Sequence, residues 1–191
     1  GAMVYGIPDK EELQLNEETI WGGAPYRNDN AKGGANLKHI QQLVFDGKSQ
    51  EADKFINETF FTKTHGMPYQ TAGSVILNFP DHNTYQNYYR ELDIEQAKAT
   101  TRYVVNGVTY TREIISSFSD DVIVMKISAS KKGVLNFDLS YRNPAQHTFY
   151  AKDNALVLQG KGGDHEGIKG EIVYHTLSTI KNVDGTVELS D

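Results

Sequence analysis

The sequence predicts a mainly β protein, an antiparallel β-sandwich with a helical hairpin inserted near its amino terminus. Two observations predict the sheets. From about residue 71 onward apolar residues recur with a period of two, and the runs that carry them are short. Turn residues, not helices, separate these runs, and strands in such succession pair antiparallel into sandwiches or barrels. A third observation predicts the hairpin. Residues 35–61 carry apolar side chains at i, i+3, i+4 spacing on both sides of Asp46-Gly47. With 191 residues the chain fits one domain, residues 1–191, and can bury a real core.

In chain order, Gly1-Ala2-Met3-Val4-Tyr5-Gly6 reads as strand interior followed by a turn, or as a cloning remnant fused to one. The helical hairpin follows, with Leu37, Ile40, Leu43 and Val44 on one face of its first helix and Ala52, Phe55, Ile56 and Phe60 on the second. "SVILNF" then puts Val75, Leu77 and Phe79 on one side of a strand. "RYVVNGVTYTRE" is the strongest local signal, because Asn106-Gly107 suits the two positive-φ positions of a type I′ turn. That turn pairs Val105 with Val108 and Tyr103 with Tyr110. Ile123, Met125 and Ile127 alternate next, then Leu135, Phe137, Leu139 and Tyr141. "ALVLQG" and "EIVYHTLSTIKN" complete the strands, with Asp184-Gly185 as a further hairpin turn. Both ends of the chain read as cut rather than finished.

The bulk properties exclude several functions. Net charge is −6, with acidic and basic residues well mixed, so neither nucleic acid nor an anionic membrane is an expected partner. Cysteine is absent, which removes disulfides, thiolate nucleophiles and thiolate metal sites. No apolar run approaches the roughly 20 residues of a membrane span.

Few residues invite chemistry. Ser116-Ser117 lies in a strand pattern with no base beside it, and no Gly-x-Ser-x-Gly occurs. Asp164-His165-Glu166, in "GKGGDHEGIKG", offers three metal-ligand types, but neighbours in an extended run point to alternate sides. The expectation is no metal and no cofactor, with the loop rimming a cleft. Glycoside hydrolysis needs two carboxylates across one bond. Glu17-Glu18, Asp93 with Glu95, and Asp120-Asp121 are the acidic pairs available; Asp120-Asp121 reads as a turn and Asp93, Ile94 and Glu95 as an alternating exposed strand. The eleven tyrosines read as a sandwich cover whose hydroxyls reach water.

"GAMVYG", "LQLNEETIWGGAP", "GKSQEADKF", "YQTAGSVILNF", "NYYRELDIEQAKATTRYVVNGVTYTREIISS" and "GDHEGIKG" occur in order. Together they resemble the amino-terminal β-domain of glycoside hydrolase family 95, the α-L-fucosidases, also described as the family 65-like amino-terminal domain. The resemblance runs over essentially the whole chain and implies that Gly1-Ala2-Met3 is native sequence. It implies a β-supersandwich followed by a helical linker, an (α/α)6 barrel and a small carboxy-terminal β-domain. It further implies inverting hydrolysis of terminal α-L-fucose, commonly 1,2-linked to galactose. The glutamate acid, and the asparagine-assisted water polarised by an aspartate, belong to the barrel.

None of that barrel is in this sequence, so the resemblance makes the chain a non-catalytic domain with no catalytic residue of its own. Its implied partners are the barrel and a fucosylated oligosaccharide, and its implied setting is periplasmic or extracellular. On the cleft rim the expected substrate-binding residues are Asn16, Glu17, Thr19, Trp21 and His165. A buried strand hardly requires Asn-Glu-Glu, whereas sugar hydroxyls need polar partners next to an aromatic ring. The alternative is a free-standing carbohydrate-binding module that uses Trp21 and tyrosine faces.

Overall fold

The computed structural model describes residues 1–62 and 64–190. Its elements are β1 (Ala2–Val4), β2 (Lys10–Leu15), α1 (Gly33–Phe45), α2 (Ser49–Thr59), β3 (Ser74–Asn78), β4 (Gln86–Asp93), β5 (Lys98–Val105), β6 (Val108–Ser117), β7 (Val122–Ala129), β8 (Asp138–Arg142), β9 (Gln146–Lys152), β10 (Ala155–Lys161) and β11 (Val173–Ser178). They form three antiparallel sheets with strand orders β1-β2-β3-β8, β4-β5-β6-β7 and β11-β10-β9.

The first two sheets make the sandwich. Alternation along β3 turns Val75 and Leu77 to one face, where they meet Leu13, Phe79 and, from the opposite sheet, Ile114. Met125, Ile127, Phe137 and Leu139 close over this cluster. Each such buried aliphatic side chain stabilises the fold by about 1.5–3 kcal/mol. Ile76 is buried too, so β3 is covered on both faces. The third sheet is tied on by Tyr141, whose hydroxyl reaches Leu156 O at 3.1 Å and Ser178 Oγ at 2.6 Å.

The hairpin at Asn106-Gly107 forms as expected, with φ of 48° and 77°. Val105 pairs with Val108 and Tyr103 with Tyr110. The two tyrosine rings stack with centroids 5.7 Å apart and form the middle of a second core cluster. Here the structure corrects one expectation: the Tyr103 hydroxyl does not reach water. It accepts from Arg112 Nη2 at 2.6 Å and has Pro8 O at 3.1 Å and His82 Nδ1 at 2.8 Å. Burial pushes its pKa up to about 12.

Three further expectations change. Asp93, Ile94 and Glu95 are not an alternating strand. β4 ends at Asp93, whose Oδ1 accepts from the amides of Glu95 and Gln96 and so caps the turn into β5. Asp184 has the positive φ of a turn (57°), yet no strand flanks it among the described residues. In α1, Ile40 and Leu43 are buried, but Leu37 and Val44 stand in solvent. The helical hairpin turns at Gly47 (φ 73°), where α1 stops, as the sequence indicates.

Candidate functional site

Three loops meet at one end of the sandwich: residues 16–23 after β2, 65–70 before β3, and 162–172 between β10 and β11. Backbone bonds lash them together. Gly22 N donates to Pro68 O at 2.8 Å, Gln70 N to Ile20 O at 2.9 Å, Gly23 N to Gly163 O at 2.8 Å, and Glu171 N to Gly23 O at 3.1 Å.

Glycines make this approach feasible. A Cβ on Gly170 would fall 1.8 Å from Gly162 O, and one on Gly162 would fall 2.8 Å from Trp21 O. The glycine-rich run thus serves contact between loops. Its tip is a type I′ turn, with Glu166 and Gly167 at φ 46° and 83° and reciprocal bonds between His165 and Ile168.

The residues singled out from sequence are placed as follows. Glu17 turns its carboxylate onto Thr19, accepting from the hydroxyl and from the amide at 2.9 Å. Those bonds, the hydroxyl's first, hold its pKa below the ordinary carboxylate value. Trp21 donates Nε1–H to Glu18 O at 2.8 Å and leaves its ring 43% exposed. Asn16 accepts from the Tyr69 hydroxyl at 3.2 Å. Asn16, Glu17, Thr19 and Trp21 therefore share one turn. His165 sits on the facing loop, with Nε2 4.0 Å from Glu166 Oε1.

Sequence reading missed Tyr69 and His65. Tyr69 pairs with Trp21 in an isolated bridge, and the two rings meet edge to face with centroids 5.5 Å apart. His65 donates its amide to Glu166 Oε2 at 2.7 Å and sets Nδ1 3.0 Å from Oε1. The His65 amide, and then its ring, hold the Glu166 carboxyl below the usual range. Local sequence carries no signal for these partners, which lie 53 and 101 residues apart. Asp164 turns back to accept from Gly170 N at 2.9 Å. Among the described residues, no three His, Asp or Glu side chains converge as a metal site would require.

Chemically, this end of the domain offers an exposed indole, a phenol, an amide, and imidazoles beside the Glu166 carboxylate. Such a set suits hydroxyl-rich ligands. The fold is that of a β-rich domain with this loop cluster at one end. The model of the glycosyl hydrolase family 65 N-terminal domain matches residues 1–191, and the chain belongs to that family. It is 34% identical over 168 residues to alpha-L-fucosidase 2 of Arabidopsis thaliana, covering 84% of this chain and 19% of that protein. It is 23% identical over 137 residues to a probable alpha-fucosidase A of Aspergillus niger, covering 68% of this chain and 17% of that one. The counterpart from Aspergillus oryzae is 21% identical over 135 residues, covering 68% of this chain and 18% of that one. The chain spans less than a fifth of the length of each of these relatives.

Proposed function

We propose that residues 1–191 are one non-catalytic amino-terminal domain of an α-L-fucosidase of glycoside hydrolase family 95. In the whole enzyme it packs on a helical catalytic barrel, and its three-loop end rims the site that takes terminal α-L-fucose. The observation that carries this reading is the loop cluster itself: Trp21, Tyr69 and Asn16 are presented together at one end of the domain. The similarity to alpha-fucosidases supplies the sugar. The reaction proposed for the whole enzyme is inverting hydrolysis, with 1,2-linked fucose as substrate.

The test is hydrolysis of an aryl α-L-fucoside by the purified 191-residue chain and by the full-length protein. The reading expects turnover only from the full-length protein. Turnover by the chain alone would overturn it. The exposed Trp21 ring also favours a second reading, a free-standing sugar-binding module. Calorimetry of the chain against fucosylated oligosaccharides separates the two: binding by the isolated chain favours the module, and silence favours the rim.

A further inference from the structure

A cleft of about 510 Å³ opens beside the three-loop cluster, between the start of α1 and the segment that leaves α2. Its volume lies in the range of small-molecule sites, about 300–1,000 Å³. Asn28, Asp29, Phe60, Phe61, Thr64 and His65 line it, together with Gly33 and Gly34. His65 belongs to both places, because the same residue is bound to Glu166 of the loop cluster.

The lining has a definite chemistry. Phe61 is 53% exposed, and its ring stands nearly perpendicular to that of Phe60, with centroids 6.4 Å apart. Two aromatic surfaces are therefore offered where no core covers them. Among the described residues, the polar groups divide into those used by the fold and those left over. Asn30 is used: its side-chain amide donates to Thr59 O and Phe60 O at 3.0 and 3.2 Å, and its oxygen accepts from Lys32 N at 3.0 Å. Asn28 accepts from Thr62 through Oδ1, which leaves its NH2 as a donor. Asp29 gives Oδ1 to Arg27 at 2.6 Å, which leaves Oδ2 as an acceptor. His65 commits Nδ1 to Glu166, which leaves Nε2.

An amide donor, a carboxylate acceptor, an imidazole nitrogen and aromatic faces in one cleft match the alternating hydroxyls and C–H faces of a pyranose. The Asp29 carboxylate opposes phosphates and other anions. An apolar helix or strand would fit poorly, because it would strand these polar groups at about 1–3 kcal/mol each.

We propose that the cleft is a second carbohydrate subsite, taking the pyranose units of the glycan that lie beyond its terminal fucose. This assignment rests on the reading of the chain as part of an α-L-fucosidase.

Gly34 provides a clean probe. A Cβ there meets nothing within 4 Å, and the residue is helical with no positive φ, so a side chain can be added at this lining position without backbone strain. The experiment measures kcat/KM of the full-length protein on an aryl α-L-fucoside and on a fucosylated hexasaccharide, for wild type, Gly34→Leu and Phe61→Ser. Only the hexasaccharide carries pyranose units beyond its fucose that could occupy the cleft. Both variants should lower the ratio of hexasaccharide to aryl fucoside kcat/KM by about tenfold. Gly34→Leu keeps the test valid if Phe61→Ser folds poorly. If wild type cleaves both substrates and neither variant moves the ratio by more than about twofold, the subsite is wrong and the fucosidase reading stands. If wild type cleaves neither substrate, the fucosidase reading fails and this inference with it.

Discussion

Arg112 and Glu11, from opposite sheets, meet inside the sandwich at 3.2 Å with both side chains wholly buried. The guanidinium also donates to Ile7 O at 2.7 Å and to Pro8 O, and it lies 3.9 Å above the Phe79 ring. Glu11 spends its other oxygen on the amides of Gly6 and Glu12 at 2.7 and 3.1 Å. One nitrogen, Arg112 Nε, is left without a partner among the described residues. The pair fastens the chain between β1 and β2 to the opposite layer, at the cost of desolvating two charges. Breaking half of it is therefore worse than never having built it.

Arg112→Met should thus destabilise the chain by about 3–5 kcal/mol, because the Glu11 carboxylate is left buried without its counter-charge. Adding Glu11→Gln to Arg112→Met should recover part of that loss. Urea unfolding of the two variants measures it. A cost below about 1 kcal/mol for Arg112→Met would show that water reaches Glu11.

His82 supplies a pH dependence. Burial first, and then the Arg112 charge, hold its pKa below the ordinary value. The unfolded chain, with His82 near about 6.5, takes up the proton before the folded chain does. Stability is therefore full above about pH 6.5 and falls as pH drops toward the folded-state value. Thermal melts from pH 7.5 to 5 should show this decline, and His82→Gln should flatten it. Glu17, Glu113 and Glu166 have lowered values, so their share is lost only below about pH 4.3.

The loop cluster depends on the missing side chain of Gly170. Gly170→Ala puts a methyl onto Gly162 O, and overpacking of that kind costs about 1–3 kcal/mol. The damage should stay local. Hydrogen exchange should quicken at the Gly23 and Glu171 amides, which bridge the loops, while Leu77 in the core strand β3 stays protected. Equal loss of protection at both places would contradict a local cluster.

What the sequence revealed follows the range of the interactions involved. Asn106-Gly107 and its flanking pairs were legible because the turn and the register it sets lie within a few residues. The helical hairpin was legible because its period and its Gly47 stop are local. The pairing of β3 with β8 was not, since Val75 and Tyr141 lie far apart in sequence. The same holds for Tyr69 against Asn16 and for His65 against Glu166. Asp93 misled because an Asp before a turn and an Asp on an exposed strand look alike until its carboxylate is seen capping two amides. Tyr103 misled because its alternation pointed inward correctly, while the buried Arg112 that satisfies its hydroxyl lies on the next strand.

The central claim is that this domain lends its loop end to a fucose site built elsewhere in the protein. Trp21→Ala in the full-length protein tests it most directly, because the residue is exposed and Tm reports any loss of its contact with Tyr69 and its bond to Glu18 O. The measurement is kcat/KM on a fucosylated oligosaccharide alongside Tm. The account predicts about a tenfold fall in kcat/KM with Tm within about 2 °C of wild type; unchanged kcat/KM at unchanged Tm would contradict it.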